Sequence, residues 1–432
     1  MPEASSLIII GAGVAGLLAA RDLARAGRRV VVLEARDRVG GRIHTLQPAG
    51  FSAPIEAGAE FIHGEAPISQ ALLREAGVPW HDTGGQAYEV QRGHVQESEE
   101  SIDDMPRLME QLQALQQDLS LADFLALHFP ADTDAELREQ VTRMAEGYDA
   151  ADPQRASTLA LRDEWAAGGA EDSPRPQGGY RHLVEHLRQQ AEAAGATIEL
   201  AAAVRCLRWQ PGQVTAECAG GRQYQAAQAL ITVPLGVLQA AETEPGHLRF
   251  EPELPAQRAA AAQLGFGAVV KVLLEFDAPF WTEQSAPGHS LPELGFLFSD
   301  APIPTWWSQL PDERPILTGW LGGPPAAAHR TASAEALEQL ALESLGYVLG
   351  TTPEYLRTRL RGAHVANWAA DERARGAYAY VTVDTHRALP VLSAPVADTL
   401  YFAGEGIYQG PAMGTVEAAL HSATRAVHLL LP

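Results

Sequence analysis

Leu7-Ile-Ile-Ile-Gly-Ala-Gly-Val-Ala-Gly16, with Val30-Val-Val-Leu-Glu34 after it, is the stretch on which the fold turns. Residues 7–10 form a short apolar, β-branched run, as a buried parallel strand should. Gly11, Gly13 and Gly16 follow at the spacing G-x-G-x-x-G, and residues 14–26 read as a helix that stops at Gly27. A second strand over 30–33 then delivers Glu34 near the distance where an acid meets a ribose hydroxyl. Each glycine has a task. Gly11 makes the tight turn, Gly13 lets backbone approach a pyrophosphate, and Gly16 lets the helix pack close to the strand. The helix N-terminus offers unpaired N–H groups and a positive dipole end to the phosphates. Strand, glycines, helix, second strand and acid together predict an α/β dinucleotide-binding unit.

The next residues narrow the cofactor. Arg36-Asp-Arg-Val-Gly-Gly-Arg42 adds a second glycine pair, Gly40 and Gly41, and the arginines Arg36 and Arg42, a residue type suited to phosphate. Glu34-Ala-Arg-Asp-Arg-Val-Gly-Gly-Arg-Ile resembles the FAD-binding entry of the flavin amine oxidases, the family of monoamine oxidases, polyamine oxidases and lysine-specific histone demethylases. The resemblance recurs along nearly the whole chain. It implies FAD contacts from Glu34, Ala35 and Arg36 onward. Ile55-Glu-Ala-Gly-Ala-Glu-Phe-Ile-His-Gly64 is similar to the family segment beside the flavin ring. This adds Gly58, Ala59, Glu60 and Phe61 to the expected cofactor contacts and places His63 over the substrate channel.

Composition sets limits around this unit. The 432 residues suggest two or more domains, and 46% apolar content allows a large core. Lys+Arg number 32 against 54 Asp+Glu, a net charge of −22. Such a surface repels nucleic acid and anionic membranes and favours a cationic small molecule if the charge is focused in a cleft. Cys206 and Cys218, the only cysteines, argue against a disulfide framework or thiolate metal site and read as small core residues. No apolar run is long enough to span a bilayer, and the N-terminus has no leader pattern. A soluble, cytoplasmic protein is expected, without metal, as monomer or homodimer.

Downstream, residues 86–104 read as polar and irregular. Leucines 108, 112, 115 and 119 recur at helical spacing, and 120–129 and 135–147 also read as helices. The region 90–165 is therefore expected as a helical insertion walling a substrate cavity. Asp163, Glu164, Glu171 and Asp172 are candidates for attracting a cation or for a solvated surface. Ala203-Val-Arg-Cys-Leu resembles the segment whose valine backbone meets the adenine, here Val204. Ala229-Leu-Ile-Thr-Val-Pro-Leu-Gly-Val-Leu238 is similar to the strand and turn that leave the FAD domain. In Val269-Val-Lys-Val-Leu-Leu-Glu-Phe276 a lysine interrupts an apolar run. By itself it is either an edge residue reaching for water or a buried ammonium with a function. The resemblance implies the second, with Lys271 holding a water near the flavin.

Near the C-terminus, Trp368-Ala-Ala-Asp-Glu-Arg-Ala-Arg-Gly-Ala-Tyr-Ala-Tyr380 resembles the loop under the flavin. Ala377 stands where monoamine oxidases carry the cysteine that binds FAD, which implies non-covalent FAD. Tyr378 aligns with the first tyrosine of the aromatic cage, and Thr415 with the second. Leu400-Tyr-Phe-Ala-Gly-Glu-Gly406 is similar to a second FAD fingerprint, with Gly404 and Glu405 near ribityl and phosphate. Gly414-Thr-Val-Glu-Ala-Ala419 opens the last helix, whose amides at Thr415 and Val416 would face the flavin.

The expected fold is an α/β FAD-binding domain from 1–85, 178–265 and 365–432, with an α+β substrate domain from 86–177 and 266–364. The expected reaction is oxidation of a polyamine or an alkylated or primary amine: flavin accepts the hydride equivalent, the imine hydrolyses, and dioxygen is reduced to peroxide. Lys271, Tyr378, His63 and Thr415 are the expected reaction-centre residues. An amino-acid oxidase, with Arg330, Arg373 or Arg375 binding a carboxylate, remains open. So do a polyene desaturase and a flavin-containing binding module.

Overall fold

The structure is a computed structural model and describes residues 6–97, 102, 104–166, 173–283 and 288–431. Its nucleotide-binding half is a five-stranded parallel sheet in the order Leu400–Phe402, Gln228–Ile231, Ser6–Ile10, Arg29–Leu33, Thr197–Glu199. Ser6–Ile10 lies at the centre, which explains its unbroken apolar run. Leu7 and Ile9 enter one core with Leu17, Leu183 and Leu420, while Ile8 and Ile10 enter another with Leu207, Ala229 and Phe402. A strand buried on both faces has no solvent side on which to place polar residues. The helix Val14–Arg25 packs against Arg181–Ala193 and Val416–Leu430, so the first and last helices share one layer.

A four-stranded sheet, Gln223–Ala226, Gln213–Cys218, Val204–Gln210 and Arg249–Glu251, flanks this half. Cys206 and Cys218 lie buried in it as free thiols. The other half is a seven-stranded sheet in the order Leu360–Asn367, Val269–Phe276, Ile316–Gly322, Thr305–Trp307, Leu294–Ser299, Gln86–Gln91, His94–Glu97. Residues 365–367, expected in the FAD half, continue the strand Leu360–Asn367 of this sheet.

Two expectations change here. Residues 86–97 are not irregular but form an antiparallel hairpin at the sheet margin, with Tyr88 and Val90 buried. Polar neighbours on the exposed edge masked the alternation that marks a strand. Val269–Phe276 is paired on both sides and every residue is buried, so Lys271 is no edge residue.

The expected helical insertion is present as Met105–Ala114, Leu121–His128, Ala135–Gly147 and Thr158–Ala166, closed around Leu108, Leu112, Phe124 and Trp165. Among the described residues no helix is long and apolar enough to cross a membrane, and no His/Cys/Asp/Glu group is arranged to hold a metal.

Candidate active site

The glycine loop is shaped for a close ligand. Gly11 has φ +108°, and a Cβ on Gly16 would lie 2.0 Å from Gly11 O, so the helix can approach only with glycine there. A Cβ on Gly13 would meet nothing within 4 Å, which leaves open space above that backbone. Gly13 is also the N-cap of Val14–Arg25 and provides no side-chain cap, so the first amides remain for an anion. The second glycine pair closes over it: Gly40 N donates to Ala12 O at 2.8 Å, and Gly41 adopts φ +61° against Gly13. Glu34 accepts from Ala12 N at 2.7 Å and Arg36 N at 2.8 Å, which fixes its carboxylate and leaves lone pairs for a ribose hydroxyl. Ala35 follows it in the loop, and Val204 opens its strand half-buried. These residues fit FAD.

The arginines also have acidic partners within the chain. Arg36 forms a two-pronged pair with Asp371 at 2.9 Å, and Arg42 donates to Glu405 at 2.7 Å and to Ala377 O. Both guanidiniums are matched to acids, Arg42 through one of its terminal nitrogens. Glu405 is correspondingly taken by Arg42 and Ala379 N (3.1 Å). Gly404 keeps φ +139° with open space beside it.

At the ring end, Trp368 donates to Ala57 O at 2.9 Å, and a Cβ on Gly58 would lie 1.8 Å from Arg42 O. The run Gly58-Ala59-Glu60-Phe61 is thereby held tightly against the loop. Beyond it stands a closed circuit of six aromatic side chains. Tyr378 lies nearly parallel to Trp320 (6.4 Å, 17°), Trp320 meets Trp307 (5.8 Å), and Trp307 meets Phe61 (5.6 Å). Phe61 meets His63 (6.1 Å), His63 meets Tyr148 edge-on (6.0 Å, 86°), and the Tyr378 hydroxyl donates to Tyr148 O. Burial pushes His63 down to about 4, so its imidazole is neutral at physiological pH. Ring faces of this kind attract a cation by quadrupole and shape. Tyr378, His63 and Phe61 were legible in sequence. Trp307, Trp320 and Tyr148 were not, because tryptophans on strands read as sheet core.

Lys271 has a direct partner that sequence reasoning missed. Its ammonium lies 2.7 Å from Glu60 Oε2 and 3.2 Å from Gly58 O, over the Trp307 ring at 5.5 Å. Glu60 Oε1 accepts from Arg175 Nε (2.8 Å) and Trp307 Nε1 (3.1 Å). Glu60, expected among cofactor contacts, thus has both oxygens held by protein, and the water expected on Lys271 must share it with a carboxylate. Burial alone would raise Glu60, but Lys271 and then Arg175 hold it down to about 2. One sequence signal was available: Lys271 is the only lysine in 432 residues, one of 32 Lys+Arg.

Thr415 has a structural task. Its hydroxyl accepts from Ala418 N (3.1 Å) and donates to Ala412 O (2.8 Å), so it is the N-cap of Val416–Leu430. Of the acids named from sequence, Asp163 is exposed beside Arg162, and Glu171 and Asp172 lie outside the described residues. Glu164 is different. It is hydrogen-bonded to Asp149, a residue 8% exposed whose Oδ2 has no other partner among the described residues. Burial first, then Glu164, pushes Asp149 well above the usual carboxylate range, and burial raises Glu164 too. Their field reaches the Tyr378 phenol, already raised by burial. Of the arginines an amino-acid oxidase would need, Arg375 is tied to Glu244 and Pro245 O, and Arg373 pairs with Glu372.

Comparison with known proteins agrees with this geometry. The family model described as flavin containing amine oxidoreductase matches residues 14–431. Polyamine oxidase 2 of Arabidopsis thaliana is 30% identical, over 93% of this chain and 83% of that protein. Probable polyamine oxidase 4 of the same plant is 28% identical, over 96% and 85%. A putrescine oxidase solved with putrescine bound superposes with a TM-score of 0.78 at 22% identity, covering 98% of each chain.

Proposed function

The chain belongs to the flavin-containing amine oxidoreductases, and from that premise we propose that its substrate is a diamine or polyamine whose distal cation is received by Asp149 and Glu164. The protein is an FAD-dependent amine oxidase. Bound FAD supplies the chemistry: it accepts the hydride equivalent from the carbon beside nitrogen, and oxygen takes the electrons. The residues described above act around it.

The carrying observation is the pair of buried Asp149 and half-buried Glu164 beside the aromatic circuit. In the free protein, burial raises the proton affinity of both carboxyls, and Glu164 raises that of Asp149 further. A distal ammonium arriving there favours the charged form and gives Asp149 Oδ2 a donor. Tyr378 and Trp320 then flank the alkyl chain, and neutral His63 can accept a hydrogen bond from the amine without repelling it. The reacting nitrogen must be unprotonated, so reduction of the flavin is expected to rise with pH to a plateau. Lys271 places a fixed positive charge where negative charge develops as oxygen is reduced. Ala377 offers no sulfur for attachment, so FAD is held non-covalently and acid precipitation should leave a colourless pellet.

Anaerobic mixing with diamines and monoamines of equal chain length, read as flavin bleaching, tests the substrate class. Diamines should bleach at concentrations at least tenfold lower. Equal response, or reduction by amino acids alone, would overturn it.

A further inference from the structure

A chain that carries positive charge as arginine at every other position keeps one lysine, at Lys271 in the middle of a fully buried strand. Arginine cannot replace an ammonium where three tetrahedral donors must be divided among close partners. Two of the three have protein acceptors, Glu60 Oε2 at 2.7 Å and Gly58 O at 3.2 Å. One N–H is left. The neighbours in register on either strand, Trp320 and Ala366, are uncharged. The charged or titratable groups acting around the pair are Glu60, Glu56 and Arg175. Arg175 is itself fixed to Glu60, Ser308 O and Leu310 O. Behind this cluster is a cavity of about 400 Å³, lined by Glu60, Glu56 and Arg175 but not by Lys271. The carboxylate therefore stands between the lysine and that cavity.

We propose that Glu60 is a positioning residue that pins Lys271 as an ammonium and aims its one remaining N–H, so that the lysine works as a fixed charge and not as a proton carrier. The inference rests on the reading of Lys271 as acting at the flavin. Glu60, held between Lys271 and Arg175, is a poor proton acceptor and cannot relay a proton from the cavity to the lysine. Without the carboxylate, the same burial and the nearby Arg175 would favour neutral lysine.

The single lysine makes this measurable apart from turnover. Biosynthetic [ε-13C]lysine labels one position in the holoenzyme, and its carbon shift reports protonation. The wild-type signal is expected to stay constant from roughly pH 6 to 10. In Glu60→Gln, which keeps shape but removes charge, it should titrate with at least a tenfold loss of proton affinity, and Glu60→Asp should restore the constant signal. A wild-type signal that titrates within that range overturns the proposal even if Glu60→Gln does not fold. A constant signal in folded Glu60→Gln overturns it too. Stopped-flow reoxidation separates the two readings. Glu60→Gln should lose about tenfold in rate on the alkaline side, whereas Lys271→Met should be slow at every pH. Should the signals behave as expected while Lys271→Met keeps wild-type rates, Glu60 still pins the lysine and only its role at the flavin falls.

Discussion

Glu60 and Asp149 are both buried carboxyls, 6% and 8% exposed, near one aromatic circuit, yet their proton affinities move in opposite directions. Desolvation raises both. Glu60 has an ammonium, a guanidinium and an indole N–H on its two oxygens, and these outweigh burial. Asp149 has another acid as its neighbour, and nothing in the described protein answers its charge. The first carboxyl is answered within the chain, and the second is not, which is the ground for the proposal that a cation from outside completes it.

The largest effect should come from breaking the complete site. Lys271→Met leaves Glu60 with Arg175 and the Trp307 indole. It should fold and bind FAD, lose about 3–5 kcal/mol of stability as expected for a broken buried pair, and be slowed about 100-fold in flavin reduction or reoxidation. Stopped-flow rates at the wild-type level in both half-reactions would end the comparison as drawn.

Next is the incomplete site. Asp149→Asn keeps shape and removes the charge that a distal ammonium needs. A lost charged hydrogen bond is worth about 1.5–3 kcal/mol, so the apparent Kd for a diamine should rise about 10- to 100-fold while that for an equal-length monoamine hardly moves. A parallel change for both amines would place the pair outside the binding path.

A smaller effect separates the sites by pH. Asp149 and Glu164 bind protons more tightly folded than unfolded, so their contribution to stability falls as pH rises above the ordinary carboxylate range. Glu60 has the opposite sign: its contribution is present above about 4.5 and is lost as pH falls toward about 2. Each tenfold change in proton affinity is about 1.4 kcal/mol. Thermal melts of Asp149→Asn between pH 5 and 9 should therefore decline less than wild type. Identical slopes would mean that the pair is not proton-loaded.

The smallest effect is a control with no charge at stake. Thr415→Ala removes a helix cap and should cost about 1 kcal/mol, seen as a modest fall in Tm, with flavin reduction unchanged. A large rate loss would return Thr415 to the reaction centre.

The nucleotide loop was legible because its information is local. Gly16 answers a steric demand set by Gly11 O five residues earlier, Gly11 a positive φ, and the apolar run 7–10 reports two-sided burial directly. The hairpin at 86–97 was missed for the converse reason, since its alternation is visible only once one face is known to be covered. The capping bond of Thr415 was not legible, because a cap shows itself only once the helix end is in view.

The glycine spacing by itself determined the dinucleotide-binding unit, and the resemblance to the flavin amine oxidases implied FAD and amine oxidation, while for Lys271 the residues alone left an edge position and a buried ammonium both open. Tertiary structure decided which charge meets which. Glu60 and Lys271 are 211 residues apart, and Asp149 and Glu164 lie on either side of a chain turn. A carboxylate's proton affinity depends on the atoms a few ångströms away and on the water excluded around it. Neither quantity exists until the sheets and helices have closed.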